Sequence, residues 1–291
     1  MSAPVANPAA TFYASSRTAL LLGAGLRAID RVAPAWGTRA AFRLFCTPLP
    51  WKLARRKPVP APWKKSGWPF EGSAIAVYRR ADVAPGRPVV LLVHGWAGSA
   101  MQLHPIGDAL AAAGFDPVLV DFPAHGRSRG WRTTVPQFSR AIYAVASRVG
   151  PLHAIVAHSL GSLAALHTAA SGLAVERLVL IAPASPPTVF LGWFAGSFRL
   201  SASLPERMRA HIERVEGVPL AEFEPDWFGA RVTQPTLVVH DEQDRVAPFV
   251  AGQRLASALT AARLHVARGS THRRIMSDAD VTAEVVGHCA A

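Results

Sequence analysis

Cysteine is scarce in this 291-residue chain, and its scarcity limits the kinds of fold that the sequence can form. The two cysteines, Cys46 and Cys289, lie near opposite ends and have neither paired nor metal-ligating spacing. This pattern argues against a disulfide scaffold and predicts a reducing compartment, so we expect a cytoplasmic protein. Half of the residues are hydrophobic, which is enough for a sizeable core.

Long apolar runs and cofactor motifs are also missing. No segment approaches the roughly 20 apolar residues that a membrane-spanning helix needs. Thr18–Leu26 is apolar but short, contains two glycines and is followed by no small-x-small cleavage site, so we predict no signal peptide. The sequence contains no His-Glu-x-x-His zinc motif, no phosphate-binding loop and no dinucleotide fingerprint. No motif therefore points to a metal or a nucleotide cofactor.

Nearly all of the net charge lies in the first quarter of the chain. Residues 1–70 contain eleven lysine and arginine residues and one acidic residue, Asp30, whereas the remainder accounts for only +2 of the total charge of +12. Nucleic-acid-binding proteins usually carry their charge on a folded reading surface that belongs to a recognisable module. Neither feature is evident, so we expect no nucleic-acid partner.

The N-terminal extension, residues 1–71, begins with a segment that we predict to be disordered, residues 1–16. Apolar residues at helical spacing then predict an amphipathic helix over Thr18–Val32. Pro34 is expected to break this helix, and a second helical stretch continues to Phe45. We treat the extension as separate from the rest of the chain, residues 72–291.

The stretch from Pro48 to Pro69 is rich in proline, holds all four lysines of the chain and contains interleaved tryptophans. This composition favours extended polyproline-type structure. Two interpretations of the extension stay open. The helices could pack against the rest of the protein or pair two subunits into a homodimer, as their apolar stripes indicate. Alternatively, residues 17–68 could make peripheral contact with the inner face of an anionic membrane.

From residue 72 onward, short apolar runs alternate with helical stretches. Strands are predicted at Ser73–Arg79, Val89–Val93, Val118–Val120, Ala154–Val156, Leu178–Ile181, Leu237–Val239 and Leu264–Val266. Helices are predicted near residues 104–113, 136–148, 161–171, 249–260 and 278–288. Near-continuous apolar runs are typical of parallel strands buried on both faces, so the pattern predicts an α/β fold with a mostly parallel central sheet flanked by helices. About fifty residues, 184–233, exceed what one connection needs and predict an inserted helical lid.

A serine lies at one of the predicted strand-to-helix junctions, in the string Ala157-His158-Ser159-Leu160-Gly161. A nucleophile elbow needs small residues two positions before and after the serine because its turn is tight and strained. Ala157 and Gly161 satisfy this requirement, although glycine is more usual at the first position. Such a turn exposes the serine hydroxyl and directs the following helix N-terminus toward the reaction centre. Ser159 is therefore the predicted nucleophile.

Other strand ends carry candidate partners for this serine, since chemistry collects at the carboxyl ends of the strands in such a sheet. The backbone N–H groups of Trp96 and Leu160 are candidate donors to a developing oxyanion. Asp241 and Asp244 both follow one strand, and either carboxylate could orient a histidine. Alternatively, these acids could belong to a solvated turn that caps the next helix. His272, after the last strand, is the candidate general base.

From about residue 72 to its C-terminus the chain resembles the α/β-hydrolase superfamily. The matching motifs are His94-Gly95, the Asp-x-Pro-x-His-Gly-x-Ser loop at Asp121–Ser128, the elbow at Ser159 and the Gly-x-x-His element at Gly269–His272. The acid of the family commonly lies four residues before a proline, so the resemblance selects Asp244, before Pro248, over Asp241. Asp121 itself is expected to cap local amides in a structured turn.

The resemblance implies a serine hydrolase without a cofactor, with a triad of Ser159, His272 and Asp244. Our leading interpretation is a carboxylesterase that acts on small to medium hydrophobic esters. The same triad would also serve a thioesterase, a lipase or a C–C bond hydrolase, and a non-catalytic membrane-associated scaffold is the remaining alternative. Six apolar residues of the predicted lid could line an acyl pocket or belong to the core; they are Phe190, Leu191, Trp193, Phe194, Phe198 and Leu200.

Overall fold

The computed structural model describes residues 17–48 and 58–291. The predictions for residues 1–16 and for residues 49–57 therefore lie outside the described residues. The strands are β1 (Trp63–Phe70), β2 (Ser73–Arg80), β3 (Val89–Val93), β4 (Asp116–Asp121), β5 (Leu152–His158), β6 (Val175–Ile181), β7 (Thr236–Asp241) and β8 (Ala262–Ala267). The helices are α1 (Arg17–Val32), α2 (Pro34–Phe45), α3 (His104–Ala112), α4 (Val135–Val149), α5 (Leu160–Ala170), α6 (Pro187–Phe198), α7 (Leu204–Glu216), α8 (Pro225–Gly229), α9 (Phe249–Ala258) and α10 (Ala279–Ala290).

The eight strands form one sheet in the order β1-β2-β4-β3-β5-β6-β7-β8. β2 runs antiparallel to both of its neighbours, whereas β3 to β8 are parallel to one another. Side chains of β3 to β7 join two apolar clusters, one on each face of the sheet. This two-sided burial is why their sequences are nearly continuous apolar runs. The predicted α/β class, with a mostly parallel sheet between helices, is confirmed.

Strand β1 contradicts the polyproline prediction for Pro48–Pro69 within the described part of that stretch. Trp63–Phe70 pairs in register with β2, from Trp63 with Arg80 to Phe70 with Ser73. The two-residue turn Glu71-Gly72 has positive φ at both positions, which suits the twist of a tight β-hairpin. Pro69 is tolerated because β1 is an edge strand and lacks a second ladder. The sheet thus includes residues that we assigned to the N-terminal extension.

The helices α1 and α2 pack against the helices inserted between β6 and β7. The Phe45 and Phe194 rings meet edge to face with their centroids 5.4 Å apart. Arg27 Nη1 donates a hydrogen bond to the Phe198 carbonyl at 2.7 Å, a contact between residues 171 positions apart. Pro34 separates the two helices, as predicted, and occupies the first turn of α2, where its missing N–H costs nothing. The packing interpretation therefore accounts for the inner faces of both helices.

The insertion at residues 184–233 is helical, as predicted, and contains α6, α7 and α8. Its six apolar residues divide into two groups. Leu191, Phe194 and Phe198 are buried in the main apolar cluster, so these three are core residues. Phe190, Trp193 and Leu200 are half-buried. The core interpretation is therefore confirmed for the first group, and the acyl pocket stays a prediction.

Candidate active site

Ser159 lies between β5 and α5 with a strained backbone, at φ +54° and ψ −122°. Such a conformation costs a non-glycine residue about 1–3 kcal/mol and persists only where the surroundings enforce it. Here the Ser159 N–H donates to the Ile181 carbonyl at 2.9 Å, and the Ser159 carbonyl accepts from the N–H of Ala184 at 3.3 Å. The end of β6 therefore holds the serine turn in place.

Two glycines are required around Ser159 because the end of β3 approaches it closely. A Cβ on Gly161 would lie 2.6 Å from the His94 carbonyl oxygen. A Cβ on Gly95 would lie 2.6 Å from the Ser159 Cβ. Real Cβ atoms do not make such contacts, so the chain needs glycine at both positions. The predicted need for a small residue at 161 is confirmed, but its cause is the neighbouring strand end and not the serine turn alone.

The structure brings Ser159, His272 and Asp244 together from three loops at the carboxyl edge of the sheet. His272 Nε2 lies 3.0 Å from the Ser159 Oγ, and His272 Nδ1 lies 2.7 Å from the Asp244 Oδ2. All three residues are buried. The Asp244 Oδ1 accepts hydrogen bonds from the N–H groups of Val246 and Ala247, at 2.8 and 3.0 Å. This arrangement can move a proton from the serine hydroxyl to the imidazole.

Asp244 is held ionised by its surroundings. Burial by itself would raise the pKa of Asp244, but the His240 and His272 side chains and the Val246 N–H hold that pKa well below the usual value for an aspartate. An ionised carboxylate only accepts hydrogen bonds, so His272 Nδ1 must carry the proton. His272 Nε2 then presents its lone pair to the Ser159 hydroxyl, which is the tautomer that a general base requires.

The Asp241 carboxylate is buried and makes no contact with the His272 ring. The predicted alternative of a solvated acidic turn is therefore wrong for Asp241. Its side chain is buried, with Oδ1 accepting from the Gln243 N–H and Oδ2 from the Ser270 N–H, both at 2.7 Å. Asp241 therefore ties the end of β7 to the loop that carries His272. Sequence reasoning missed this role because its partner Ser270 lies 29 residues away.

Trp96 and Leu160 both present backbone N–H groups near the serine. Among the described residues no hydrogen-bond acceptor is found for either N–H, whereas the next loop amide, Ala97 N–H, donates to His125 Nε2 at 2.9 Å. Leu160 opens α5, where the first N–H groups have no partner within the helix. Their availability is what an oxyanion site needs, and their role as donors stays a prediction.

Two buried histidines that sequence reasoning did not assign support the Trp96 loop. His94 Nε2 accepts from the Phe122 N–H at 3.0 Å, so its Nδ1 carries the proton and donates to the Gly95 carbonyl at 2.7 Å. His125 likewise accepts from the Ala97 N–H and donates from Nδ1 to the Pro123 carbonyl. Burial lowers the pKa of His94, which keeps it a neutral donor and acceptor. The motif residues at 94 and 125 are thus loop supports.

Asp121 has the structural role that we expected for it. Its carboxylate accepts hydrogen bonds from the N–H groups of Ala100 and Arg127, both at 2.7 Å, and from the Tyr78 hydroxyl at 2.6 Å. The side chain is buried, so these three donors replace the water that the carboxylate would otherwise bind. Asp121 therefore caps local amides and fastens the loop after β4 to the loop after β3.

His158, directly before the nucleophile candidate, fixes the backbone of His272. Its Nε2 lies 2.8 Å from the His272 carbonyl oxygen, so Nε2 is protonated and donates. Burial, together with the nearby His272, holds the pKa of His158 well below its usual value. His158 is therefore neutral and joins the serine turn to the histidine loop. No local signal in the sequence identifies this contact, which spans 114 residues.

His94 and His158 are expected to make the free energy of unfolding depend on pH. Both have folded-state pKa values below the unfolded value of about 6.5, so the unfolded chain binds more protons as the pH falls through that value. Their contribution to stability is complete above about pH 6.5. Below it, each lowers the free energy of unfolding by up to about 1.4 kcal/mol per pH unit. Chemical denaturation at about pH 7.5 and about pH 5.5 measures the difference.

The His158→Gln variant is the matched control for this pH dependence. The glutamine amide can still donate to the His272 carbonyl, but it does not titrate. We expect a shallower fall in the free energy of unfolding toward pH 5.5 than in the unmodified protein. Superimposable pH dependences of the two proteins would contradict the assignment of a neutral, buried His158.

Within the described ranges, no three His, Cys, Asp or Glu side chains converge in a way that could hold a metal ion. The two cysteines are both free thiols and both buried. Burial raises the pKa of the Cys289 thiol to about 12, and burial also raises that of Cys46. Neither thiol is therefore a ready nucleophile or ligand.

Comparisons with known proteins found a matching protein family and several similar proteins. Residues 88–231 match a protein family described as alpha/beta hydrolase fold. Over 249 residues the chain is 30% identical to the pimeloyl-(acyl-carrier protein) methyl ester esterase of Stenotrophomonas maltophilia strain K279a, an alignment that covers 71% of this chain and 94% of that protein. It is also 26% identical over 258 residues to the monoacylglycerol lipase of Mycolicibacterium smegmatis, covering 69% of this chain and 89% of that protein.

Among solved structures, the chain is similar to Est1E from Butyrivibrio proteoclasticus, with a TM-score of 0.60 and 17% sequence identity. That superposition covers 78% of this chain and 99% of Est1E. At this level of identity the likeness concerns the fold alone.

Proposed function

The chain belongs to the alpha/beta-hydrolase family, and we propose that it is a serine hydrolase that cleaves carboxylic esters through an acyl-enzyme intermediate. At the coarser level, family membership and the esterase and lipase relatives support a hydrolase of esterase or lipase type. The observation that carries the finer proposal is the unbroken line of contacts from the Ser159 hydroxyl through the His272 ring to the Asp244 carboxylate.

In the proposed reaction, His272 Nε2 accepts the proton of the Ser159 hydroxyl as Oγ attacks the ester carbonyl carbon. The negative charge that develops on the carbonyl oxygen is stabilised by the N–H groups of Trp96 and Leu160. His272 then returns the proton to the departing alcohol, which leaves an acyl group on Ser159. A water molecule, deprotonated by His272, releases the carboxylic acid and restores the serine. Asp244 stabilises the imidazolium in both halves.

Carboxylic esters are the proposed substrates because of what the two relatives are named for. One is named for a methyl ester and the other for a monoacylglycerol, and both compounds are carboxylic esters. In this proposal the acyl group lies against half-buried aromatic residues of the loop after β3 and of α6, namely Trp96, Phe190 and Trp193. In this proposal the insertion at 184–233 acts as a lid that selects the acyl group.

A thioesterase, a lipase and a C–C bond hydrolase remain the alternatives, since all three could use the same triad. A non-catalytic scaffold is less well supported, because it would not need the His272 ring to contact both the Ser159 hydroxyl, at 3.0 Å, and the Asp244 carboxylate, at 2.7 Å. We expect a fluorophosphonate probe to label the protein covalently, because such probes react with an activated serine. We also expect p-nitrophenyl esters of short to medium acyl chains to be hydrolysed.

A panel of matched oxygen esters, thioesters and glycerides across a series of chain lengths decides between the carboxylesterase, the thioesterase and the lipase. A kcat/KM that is highest for oxygen esters of short to medium length supports the carboxylesterase. A preference of more than about tenfold for thioesters or for long-chain glycerides, which is about 1.4 kcal/mol of transition-state binding, assigns the alternative instead. Absence of both labelling and hydrolysis would contradict an active serine hydrolase.

A further inference from the structure

The outer face of α1 is apolar and exposed to solvent. Leu20, Leu21 and Val32 are 70%, 74% and 85% exposed, and Trp36 at the start of α2 is 65% exposed. The opposite face of α1 packs on the insertion. It carries the buried residues Gly23, Leu26 and Asp30. A surface helix of a folded protein normally shows the reverse pattern, with polar residues outward. Scattered apolar residues are ordinary on a surface, but a continuous apolar helix face marks an interaction site.

Helical spacing shows that this apolar face is continuous. Leu21, Gly25, Ala28 and Val32 follow one another at intervals of four, three and four residues, so they lie along one line of the helix. All four are exposed. From Leu21 to Val32 the line contains no charged side chain. It is long enough to contact an extended apolar surface, and a single small ligand would not cover it.

Beside this line lies a cleft of about 480 Å³ that is rich in arginine. Its lining residues are Arg27, Asp30, Arg31, Pro34, Arg199, Leu200, Ser201, Ser203 and Arg207. The single acid, Asp30, is buried and already accepts hydrogen bonds from Ser201 and Arg207. No hydrogen-bond or ion-pair partner is found among the described residues for the guanidinium groups of Arg31 and Arg199. The described residues therefore leave the positive charge of these two arginines in the cleft without a neutralising acid.

We propose that α1 and the first turn of α2 form a docking surface for anionic phospholipid membranes. The line at Leu21–Val32 enters the boundary between headgroups and acyl chains, and Arg31 and Arg199 bind lipid phosphates. Trp36 has the amphipathic ring that favours a membrane interface, and Arg39 stacks on it at 5.4 Å. No helix in the described part of the chain is long and apolar enough to cross a bilayer.

Charge favours a membrane over a second copy of the chain as the partner. A two-fold symmetric dimer brings the same patch of each subunit together, so arginines would face arginines. Asp30 is the only acidic residue in residues 17–48, and it is buried and paired, so it cannot compensate that repulsion. An anionic bilayer supplies both an apolar layer for Leu21 and Val32 and negative charge for the arginines.

The docking surface is linked to the candidate active site through α6. Gly23 of α1 packs on Phe198, the last residue of α6, where a glycine Cβ would lie 3.1 Å from the phenyl ring. The insertion containing α6 follows Ala184, whose N–H is bonded to the Ser159 carbonyl. Access to membrane-dissolved esters would follow from this connection and rests on the proposed function, whereas membrane binding itself does not.

Co-sedimentation of the full-length chain with vesicles tests the docking surface. We expect binding to vesicles of phosphatidylglycerol and phosphatidylcholine, weak binding to phosphatidylcholine alone, and loss of most binding when salt rises from about 0.05 M to about 0.5 M. Leu21→Asp and Arg31→Glu should each weaken the partition coefficient by about tenfold or more. Val250→Asp is the matched control, because Val250 is an exposed apolar residue on α9, outside the docking surface, and it should bind like the unmodified protein.

Three results would overturn the proposal. They are absence of binding to the anionic vesicles, equal and salt-insensitive binding to both vesicle types, and unchanged binding of both α1 variants. Dimerisation that Leu21→Asp abolishes, without any vesicle binding, would assign the surface to a second copy instead. Without vesicles, the unmodified protein and the three variants should hydrolyse a p-nitrophenyl ester at the same rate. Absence of hydrolysis in all four proteins would contradict the proposed function without affecting the result on membrane binding.

Discussion

Ser159→Ala is expected to lower kcat/KM for a p-nitrophenyl ester by about a thousandfold or more, while the protein stays folded. Loss of the nucleophile in serine hydrolases of this type leaves only the rate that the oxyanion donors and substrate binding supply. The hydroxyl of Ser159 interacts with His272 Nε2 at 3.0 Å, so alanine removes one buried hydrogen bond and little packing. Steady-state kinetics of the purified variant, with circular dichroism to verify folding, measures the effect.

The neighbouring serine offers a matched control for this experiment. Ser162 is also buried, but its Oγ donates to the Ala157 carbonyl at 3.1 Å and has no contact with the His272 ring. Ser162→Ala should therefore cost about 1 kcal/mol of stability and leave kcat/KM within a few-fold of the original. Fluorophosphonate labelling should persist in Ser162→Ala and disappear in Ser159→Ala. Undiminished hydrolysis by the pure Ser159→Ala variant would contradict the assignment of Ser159 as the nucleophile.

Asp244→Asn is expected to have the second largest effect, a fall in kcat of about 10³- to 10⁴-fold. An asparagine amide in this position can donate to His272 Nδ1, which favours the tautomer with the proton on Nε2. That tautomer cannot accept the proton of Ser159, and the imidazolium also loses its carboxylate partner. Because substrate binding does not use Asp244 directly, KM should change much less than kcat. Steady-state kinetics over a series of substrate concentrations separates the two parameters.

Asp241→Asn is the control that distinguishes Asp244 from Asp241, the acid at the end of β7. Asp241 accepts from the N–H groups of Gln243 and Ser270 and makes no contact with the His272 ring. Its replacement should lower the free energy of unfolding by about 1–3 kcal/mol, because one buried N–H loses its acceptor. Activity should fall by far less than in Asp244→Asn. An equal or larger loss of kcat in Asp241→Asn would mean that the orienting carboxylate is assigned wrongly.

The elements that the sequence predicted correctly are those whose signal is local. Strands β3 to β7 are apolar on both faces, so each appears as a short unbroken run wherever it lies in the sheet. The helices between them begin and end within a few residues of their predicted bounds. β1 was missed because a composition of proline, lysine and tryptophan outweighed the weaker hairpin signal of Glu71-Gly72. An edge strand needs only one partner and can keep such a composition.

In the candidate site, too, the residues recognised from the sequence have local signals, whereas the others make contacts that are distant along the chain. Ser159 and its small neighbours lie within five residues of sequence, and the order serine, acid, histidine can be read along the chain. The supporting roles of four residues could not be predicted from the sequence, because each side chain bonds to a backbone atom of another loop; they are His94, His125, His158 and Asp241. Their partners are 28 to 114 residues distant, and only the closed sheet brings them together.

By itself, the sequence determined the fold class, the serine turn and the pair of acids from which one partner of His272 would come. The resemblance to the α/β-hydrolase superfamily selected Asp244 from that pair, and the tertiary structure supplies the physical basis: the Asp244 carboxylate contacts the His272 ring, whereas the Asp241 carboxylate accepts from the N–H groups of Gln243 and Ser270. Only the tertiary structure decided which face of α1 is buried, and it leaves an apolar line exposed beside two arginines that have no partner among the described residues. The physical reason is the same in both cases: residue type and spacing encode local conformation, whereas the neighbours of a side chain depend on how distant segments pack.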